Sequence, residues 1–279
     1  MSWNIVLDSS CDLVTGRDFF KNAELKISPL TIRVGEKEFV DDESVNVPQL
    51  LEAMDMEKKA SSTACPPPDA FYEHFKTADN IICICITSNL SGTYNAALVA
   101  EKMIKEEYPE KNVHVINSWS TAGEMVLIAR KIDQLIGEGL SFDEICAKAE
   151  EYAKEVRLVF TLEKFDNLIK AGRMKPFVGK VVSALGIHLI AQASAEGTVE
   201  LMFKVRGEDK TLERIVDYMN EQKDMTGKPV VISHCNNLKA VEKIKALIME
   251  KCHTDDITVN HCKGLTSFYA MEKGLLIGY

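Results

Sequence analysis

Short apolar runs alternate with helix-periodic segments through the first half of the chain. The runs "WNIVLD", "NIICICIT" and "NVHVINS" have the length of single strands. The segments "YNAALVAEKMIKEEY", "AGEMVLIARKIDQLIGEG" and "SFDEICAKAEEYAKEV" place apolar residues at helical spacing. Strands that alternate with helices predict a parallel sheet with helices on both faces. We therefore expect an α/β domain over residues 1–157, with a hairpin or small β subregion at "ISPLTIRVGEKEFVDD".

The pattern changes after "RLVFTL". The segment "EGTVELMFKVRG" alternates apolar and polar residues and predicts a hairpin that turns at Glu196-Gly197. Further on, the helical segments "KTLERIVDYMNEQ" and "LKAVEKIKALIMEK" are interleaved with the strand-like runs "KPVVISHC", "DITVNHC" and "GLLIGY". These elements predict a second, mixed α+β domain over residues 158–279. Near its start, "FVGKVVSALGIHLIAQAS" is strongly apolar and poor in charge.

Charge and hydropathy limit the kinds of partner. Hydrophobic residues make up 46% of the 279 residues, which predicts a sizeable core. The formal net charge of −9 argues against sequence-independent binding of nucleic acid and against docking on anionic membranes. No apolar run reaches the roughly 18 residues of a membrane span. The start "MSWNIVLDSS" has a strand pattern rather than that of a secretory signal, so we expect a cytoplasmic protein without stable membrane insertion.

The eight cysteines are scattered and form no CxxC pair. The nearest approach to a set of metal ligands is the group His253, His261, Cys252 and Cys262. Paired zinc-ligand spacing is absent, and isolated thiols are ordinary in a reducing compartment. The sequence therefore predicts neither a metal nor a cofactor.

Three strand-to-helix turns are rich in hydroxyl groups: Ser9-Ser10, Thr87 to Thr93, and Asn117 to Thr121. The carboxyl ends of parallel strands share one edge of the sheet, and ligands bind beyond that edge. A helix that starts near Ser91 presents free N–H groups there, and the hydroxyls of Ser91 and Thr93 add donors. This arrangement predicts a site for a phosphate or carboxylate. In the alternative interpretation, Ser91 is only a helix N-cap.

Motifs for catalysis are weak. "NLSGTY" differs from the GxSxG elbow, and no histidine motif supplies a base or a metal ligand. Asp8 and Asp12 follow the first strand and are candidates for a metal or phosphoryl-transfer pair. We predict no catalytic residue. The alternative is a small-molecule phosphotransferase or hydrolase that uses Asp8 and Ser91.

Two further segments favour binding of an anion. In "STACPPPDAF", the prolines fix the backbone after Thr63 and so set the direction of its hydroxyl. In "AGRM", Arg173 follows the end of a predicted helix, where a cation is favourable in any case. Its planar guanidinium is also suited to neutralise a buried carboxylate.

Taken in order, these segments resemble the motifs of the DegV family, whose characterised members bind a single fatty acid. "TSNLSGTYNAA" is similar to the family's "SSxLSGTYxSA", and "STACPPPDAF" to its "TSQPSPxDF" loop. "IVLDSSCDL", "VINSWSTAGEM", "LEKFDNLIKAGRM" and "FKVRGEDKTLERIV" resemble "TDSTADL", "VIDSxxxSxG", "LxYLxKGGRIS" and "xKVRGxKKALxxL". The resemblance covers nearly the whole chain.

The resemblance implies that Thr63 and Ser91 hold a fatty-acid carboxylate and that the acyl chain enters an apolar tunnel between the two domains. Some family members present the acid to a fatty-acid kinase, which is the partner implied here. We expect the carboxylate site to include Gly92, Thr93 and Arg173. Neighbours of the head group are expected at Ser9, Ser10, Ser118 and Ala270. The tunnel wall is expected at Val178, Val182, Leu185, Ile187 and Ile190.

The chain departs from the family motifs at two places. Ala64 and Pro67 stand where the family loop has serines. Many members end in "GTHTGPGALGLAF", whose histidine joins the head-group network, whereas this chain ends in "GLTSFYAMEKGLLIGY". The histidine position then falls at Ala270, with Phe268 and Tyr269 beside it. The polar network is therefore expected to differ, with Arg173 supplying more of the positive charge. A third hypothesis is a regulatory protein whose lipid is structural.

Overall fold

A computed structural model describes residues 1–15, 19–57, 61–175 and 186–279. The strands within them form a four-stranded sheet in the order β2-β1-β6-β7, a three-stranded sheet in the order β4-β3-β5, and a six-stranded sheet in the order β10-β9-β8-β13-β11-β12. Their bounds are β1 (Trp3–Asp8), β2 (Glu24–Ser28), β3 (Thr31–Val34), β4 (Lys37–Val40), β5 (Ser62–Ala64), β6 (Asn80–Cys85), β7 (Asn112–Asn117), β8 (Leu158–Leu162), β9 (Ile187–Ala193), β10 (Val199–Arg206), β11 (Val230–His234), β12 (Ile257–His261) and β13 (Leu275–Gly278).

The four-stranded sheet is parallel throughout, as the alternation of strands and helices predicts. The described helices are α1 (Val47–Met56), α2 (Pro68–Phe75), α3 (Thr93–Glu107), α4 (Gly123–Gly137), α5 (Phe142–Glu155), α6 (Asp166–Lys170), α7 (Glu208–Gln222), α8 (Leu238–Lys251) and α9 (Gly264–Ala270). Helices α2 and α3 pack on one face of this sheet through residues such as Phe71 and Ala97. Helix α4 packs on the other face through Met125 and Ile128. The predicted helices on both faces are therefore confirmed.

The three-stranded sheet holds Thr63 in a strand rather than in a loop. The predicted hairpin at "TIRVGEKEF" is present as β3 and β4, with Gly35 in the left-handed region at φ 60°. Strand β5 pairs with the other edge of β3, so that Thr63 lies opposite Ile32. Because three consecutive prolines follow at 66–68, the strand ends at Ala64 and helix α2 begins at Pro68. This pairing fixes the backbone beneath the Thr63 side chain.

The six-stranded sheet is mixed, and it lies entirely within residues 158–278. Strands β11 and β12 are parallel, and the other neighbouring pairs are antiparallel. The hairpin of β9 and β10 confirms the predicted turn at Glu196-Gly197. Helices α7 and α8 cover one face through Ile215 and Ile244. The fold is thus the predicted combination of an N-terminal parallel sheet and a C-terminal mixed sheet.

The two halves of the chain are in close contact. A Cβ atom on Gly278 would lie 2.5 Å from the carbonyl carbon of Gly123, so glycine lets β13 meet the start of α4. Leu265 and Phe268 of α9 join the core of the N-terminal half. The division at residue 157 therefore stays a prediction. In the part of the chain that the structure describes, no helix combines the length and apolar character needed to cross a bilayer.

Candidate functional site

The three hydroxyl-rich turns meet at one edge of the parallel sheet, as predicted. The Ile86 amide donates to a carboxylate oxygen of Asp8 at 2.6 Å, and the Thr87 amide donates to the Ser120 carbonyl at 2.9 Å. The Ala122 amide donates to the Ser10 carbonyl at 2.9 Å, which ties the first turn to the third. These bonds connect the ends of β1, β6 and β7 into one surface.

A cavity lies between this surface and the six-stranded sheet. Including its open mouth, it has a volume of about 820 Å³. Leu158, Phe160 and Leu162 alternate along β8 and point to the same face, where they line the cavity. Further apolar lining residues are Leu30, Ile86, Leu90, Leu168, Ala193, Val199, Leu265 and Leu276. This wall suits a hydrocarbon rather than a polar metabolite.

Two pairs of hydroxyl groups occur among the loops that bound the cavity. The Thr63 Oγ1 and Tyr269 Oη atoms are 3.0 Å apart, and Ser91 Oγ and Thr93 Oγ1 are 2.8 Å apart. Thr63, Ser91 and Tyr269 line the cavity, whereas Thr93 is buried behind Ser91. Helix α3 begins at Thr93, so the prediction of a start near Ser91 is right to within two residues. The Thr93 amide donates to Ser91 Oγ at 3.3 Å, which orients that side chain.

Arg173 lines the same cavity. Its Nε donates to the Leu90 carbonyl at 3.0 Å, and its Nη1 donates to the Ala171 carbonyl. These bonds use two of the five N–H donors of the guanidinium and fix its position beside the loop of Ser91. Among the described residues that line the cavity, Arg173 is the single charged side chain. It would therefore be the main positive charge facing an anion bound there.

Several predicted neighbours of the head group lie outside the cavity lining. Ser9 Oγ accepts from the Leu30 amide, and Ser10 Oγ donates to Asp8. Ser118 Oγ donates to the Ser120 carbonyl. These hydroxyls hold the turns together. Gly92 forms the N-cap of α3, and Ala270 does line the cavity.

The predicted tunnel residues divide into two groups. Val178, Val182 and Leu185 lie outside the described residues. Ile190 is buried with Ile215 against helix α7, on the face of the sheet opposite to the cavity. Ile187 shares the face of Leu189 and Ala191 by strand alternation but does not line the cavity. Within residues 158–279, the described wall is supplied instead by β8, by residues of α6, α9 and β13, and by the tip of the β9–β10 hairpin.

Sequence reasoning missed five polar residues of the lining as individual candidates: Thr87, Ser120, Thr121, Thr198 and Thr266. The first three belong to turns that the sequence did single out for their hydroxyl content. Thr266 and Tyr269 are one helical turn apart on α9, so both reach the cavity. Tyr269 was already named beside the predicted histidine position at Ala270, and the spacing of one helical turn from Ala270 was the signal that could have found Thr266.

Buried carboxyl groups position helix α9. Asp12 Oδ1 accepts from the Lys263 amide at 2.9 Å, and the two oxygens of Asp41 accept from the Gly264 and Leu265 amides at 2.6 and 3.0 Å. These acceptors satisfy N–H groups that have no partner inside the helix. Burial raises the pKa of Asp12 to about 7 and that of Asp41 to about 6.

The candidate metal ligands are not assembled. Among the described residues, no three histidine, cysteine, aspartate or glutamate side chains form a cluster that could hold an ion. The Asp8 carboxylate accepts hydrogen bonds from the Ser10 hydroxyl and the Ile86 amide. The Asp12 carboxylate accepts one from the Lys263 amide. Asp8 does not line the cavity, so the structure does not bring it together with Ser91 in one site.

A family model described as "Uncharacterised protein, DegV family" matches residues 2–275. A DegV domain-containing protein of Streptococcus gordonii is 40% identical over 279 residues, which is 100% of this chain and 99% of the relative. Another of Streptococcus pyogenes serotype M3 is 38% identical, with the same coverage.

Two similar solved structures carry fatty acids. The fatty acid kinase (Fak) B3 protein of Streptococcus pneumoniae, loaded with linoleic acid, is 38% identical, with a TM-score of 0.95 over 100% of this chain and 99% of that one. A DegV family protein of Eubacterium eligens, loaded with heptadecanoic acid, is 34% identical, with a TM-score of 0.94 over 99% of each chain.

Proposed function

Since this chain belongs to the DegV family, we propose that it binds one long-chain fatty acid in the cavity between its two halves. The observation that carries the proposal is the composition of the cavity wall. Apolar side chains of β8 and β13 face a loop edge that supplies hydroxyl groups and one arginine. A fatty acid has the matching division into a hydrocarbon tail and an anionic head group.

The carboxylate is proposed to lie between Thr63 and Ser91, with Arg173 beside it. Both hydroxyls can donate to an anion, and the charge of Arg173 strengthens the binding of a carboxylate in a site that excludes water. Tyr269 takes the place of the histidine network that many family members have, because its hydroxyl is 3.0 Å from Thr63 Oγ1. Gly92 and Thr93 act behind Ser91 by positioning its side chain.

The tail is proposed to run along β8, where Leu158, Phe160 and Leu162 face the cavity. Likeness to the Fak B3 protein supports a carrier role in which the chain presents its fatty acid to a fatty-acid kinase in the cytoplasm. No cofactor or metal is part of this proposal. The acid is bound as a ligand, and the carrier performs no reaction itself.

An enzyme using Asp8 and Ser91 is less well supported. Ser91 Oγ is hydrogen-bonded to Thr93 Oγ1. Among the described residues that line the cavity, no histidine, lysine or carboxylate side chain is present to act as a base for Ser91. We therefore expect no turnover of acyl esters or phosphoesters by the purified protein. Steady hydrolysis that disappears in Ser91→Ala would contradict the carrier role.

The head-group assignment predicts a loss of affinity in Ser91→Ala. A hydrogen bond to a charged group contributes about 1.5–3 kcal/mol, so fatty-acid affinity should fall about 10- to 150-fold. Titration calorimetry on delipidated protein measures this change. Ser88→Ala is the matched control, because Ser88 belongs to the same loop, accepts from Asn117 and does not line the cavity. Unchanged affinity in Ser91→Ala would remove Ser91 from the site.

The ligand itself is tested by denaturing extraction of freshly purified protein followed by mass spectrometry. We expect one long-chain fatty acid per chain. Recovery of no lipid from protein that also fails to bind added fatty acids would refute the proposed function. A lipid that is bound but never exchanges would favour the alternative in which it is structural.

A further inference from the structure

Asp41 joins the start of helix α9 to the three-stranded sheet. Its side chain is fully buried, and its two carboxylate oxygens accept from the Gly264 and Leu265 amides at 2.6 and 3.0 Å. The Asp41 amide donates to the Leu30 carbonyl at 2.9 Å, directly before β3. Burial raises the pKa of Asp41 to about 6, so the carboxyl group is mostly ionised at pH 7.5. One buried carboxylate therefore fixes the first turn of α9 on the sheet.

The start of the helix lies in close contact with β3. A Cβ atom on Gly264 would be 2.7 Å from Asp41 Oδ1 and 3.0 Å from Ile32 Cδ1. These distances are too short for a Cβ atom, so glycine is what allows the helix to approach the strand this closely. Ile32 lies opposite Thr63 in the pairing of β3 with β5. The start of α9 and the strand of Thr63 are therefore both held by β3.

Tyr269 lies near the end of the same helix and reaches Thr63. The Tyr269 Oη and Thr63 Oγ1 atoms are 3.0 Å apart, and both residues line the cavity. A threonine hydroxyl has a single proton to donate. When Tyr269 donates to Thr63 Oγ1, that proton is left for a ligand in the cavity. This arrangement requires that α9 be held at the correct distance from β5.

We propose that Asp41 is a positioning residue of the carboxylate site, which makes the cavity select a carboxylate over a neutral head group by holding Tyr269 against Thr63. This inference rests on the proposed function, because it needs a fatty acid bound with its carboxylate at Thr63 and Ser91. An alcohol of equal chain length both donates and accepts, so its binding depends less on the direction of the Thr63 proton. The ratio of the affinity for the acid to the affinity for the alcohol therefore reports on the position of Tyr269.

The negative charge of Asp41 acts on this ratio in the opposite direction. Its removal by Asp41→Asn favours the binding of an anion by Coulomb's law. The asparagine side chain has one acceptor oxygen and places an amide donor where the second oxygen accepted. A fall in the ratio in Asp41→Asn therefore results from a displaced helix and not from the lost charge.

The test measures the affinities for tetradecanoic acid and for 1-tetradecanol by calorimetry at pH 7.5 on delipidated protein. We expect Asp41→Asn to lower the ratio about tenfold and to change the affinity for the alcohol less than about twofold. Binding of the alcohol also shows that the variant is folded. Asp42→Asn is the matched control, because it removes the same charge from the next residue, whose carboxylate accepts from Ser44 rather than from α9. Its ratio should equal that of the wild-type protein.

Two further variants show whether the effect passes through the helix. Gly264→Ala pushes α9 away from Asp41 without changing a charge, and it should lower the ratio in the same way. It decides the question if Asp41→Asn does not bind the alcohol. Tyr269→Phe removes the hydroxyl through which Asp41 acts, so adding Asp41→Asn to that variant should cause no further fall.

The proposal is overturned if Asp41→Asn binds the alcohol normally and keeps the wild-type ratio, or if Gly264→Ala does so. It is also overturned if Asp41→Asn lowers the ratio equally with and without the Tyr269 hydroxyl. If the wild-type protein binds neither ligand, or binds the acid no better than the alcohol, the proposed function or its carboxylate site fails instead. The two failures are therefore distinguishable.

Discussion

Affinity for saturated fatty acids is expected to rise by three to four orders of magnitude between C8 and C14. Each buried CH₂ group contributes about 0.8 kcal/mol, so six of them give about 5 kcal/mol. That gain exceeds the contribution of any single head-group contact. Above about C14, affinity should level off or fall as the chain outgrows the cavity. The tail then sets the affinity, and Thr63 and Ser91 set the orientation.

A matched pair of variants on β8 tests whether the described wall limits the tail. Leu158 lines the cavity, whereas the next residue, Val159, is buried in the core beneath helix α7. Leu158→Phe adds volume to the cavity wall, so the fatty acid that binds most tightly should be a shorter one than in the wild-type protein. Val159→Ala should lower stability without moving the optimum. Equal binding of C8 and C16 acids by the wild-type protein would exclude a hydrocarbon-binding cavity.

The N-terminal architecture was predictable because its signals are local. The alternation of strands and helices requires parallel strands, and parallel strands bring their carboxyl ends to one edge. That rule sufficed to predict that the turns at Ser9, Thr87 and Ser118 would meet. It could not say which hydroxyls face the cavity. Ser10 and Ser118 form hydrogen bonds within their own turns and Ser9 accepts from the Leu30 amide, and none of the three lines the cavity. Ser91 also forms a hydrogen bond within its own turn, to Thr93, but it does line the cavity.

The parts of the site that escaped prediction depend on contacts between distant residues. Tyr269 lies 206 positions from Thr63, and no local pattern indicates that their hydroxyls meet. The apolar run around Ile190 was assigned to the tunnel as a whole. In a strand, however, neighbouring side chains point to opposite faces, so Ile190 packs under α7 while Leu189 points the other way. The composition of the segment predicted an apolar wall. The strand register was needed to decide which of its side chains face the cavity side of the sheet and which face the core under α7.

The buried acids predict that the protein is more stable in mild acid than at pH 8. Burial raises the pKa of Glu124 to about 8, that of Asp12 to about 7 and that of Asp8 to about 6, from ordinary values near 4. At a pH between the ordinary pKa near 4 and the raised pKa of each group, the carboxyl group is protonated in the folded state and ionised in the unfolded chain. The free energy of unfolding therefore decreases as pH rises from about 4.5 to 8. Below pH 4.5 this stabilisation is fully present.

Glu124→Gln isolates the largest of these contributions. One pKa unit corresponds to about 1.4 kcal/mol, so a shift from 4.5 to about 8 is equivalent to several kcal/mol. The amide is neutral at every pH, and the variant should lose much less stability between pH 5 and 8 than the wild-type protein. His74 and His234, whose pKa values burial lowers, oppose the trend near pH 6. They are present in both proteins, so their effect cancels in the comparison.

Urea unfolding at half-unit steps from pH 5 to 8 measures the difference, provided that two-state behaviour holds in both proteins. The range stops at pH 8 because burial lowers the pKa of Lys223 to about 8, and its contribution grows with the opposite sign above that pH. Glu151→Gln, on the exposed side of α5, is the matched control and should follow the wild-type curve. If Glu124→Gln and wild type differ by the same free energy at pH 5 and pH 8, Glu124 is ionised in the folded state.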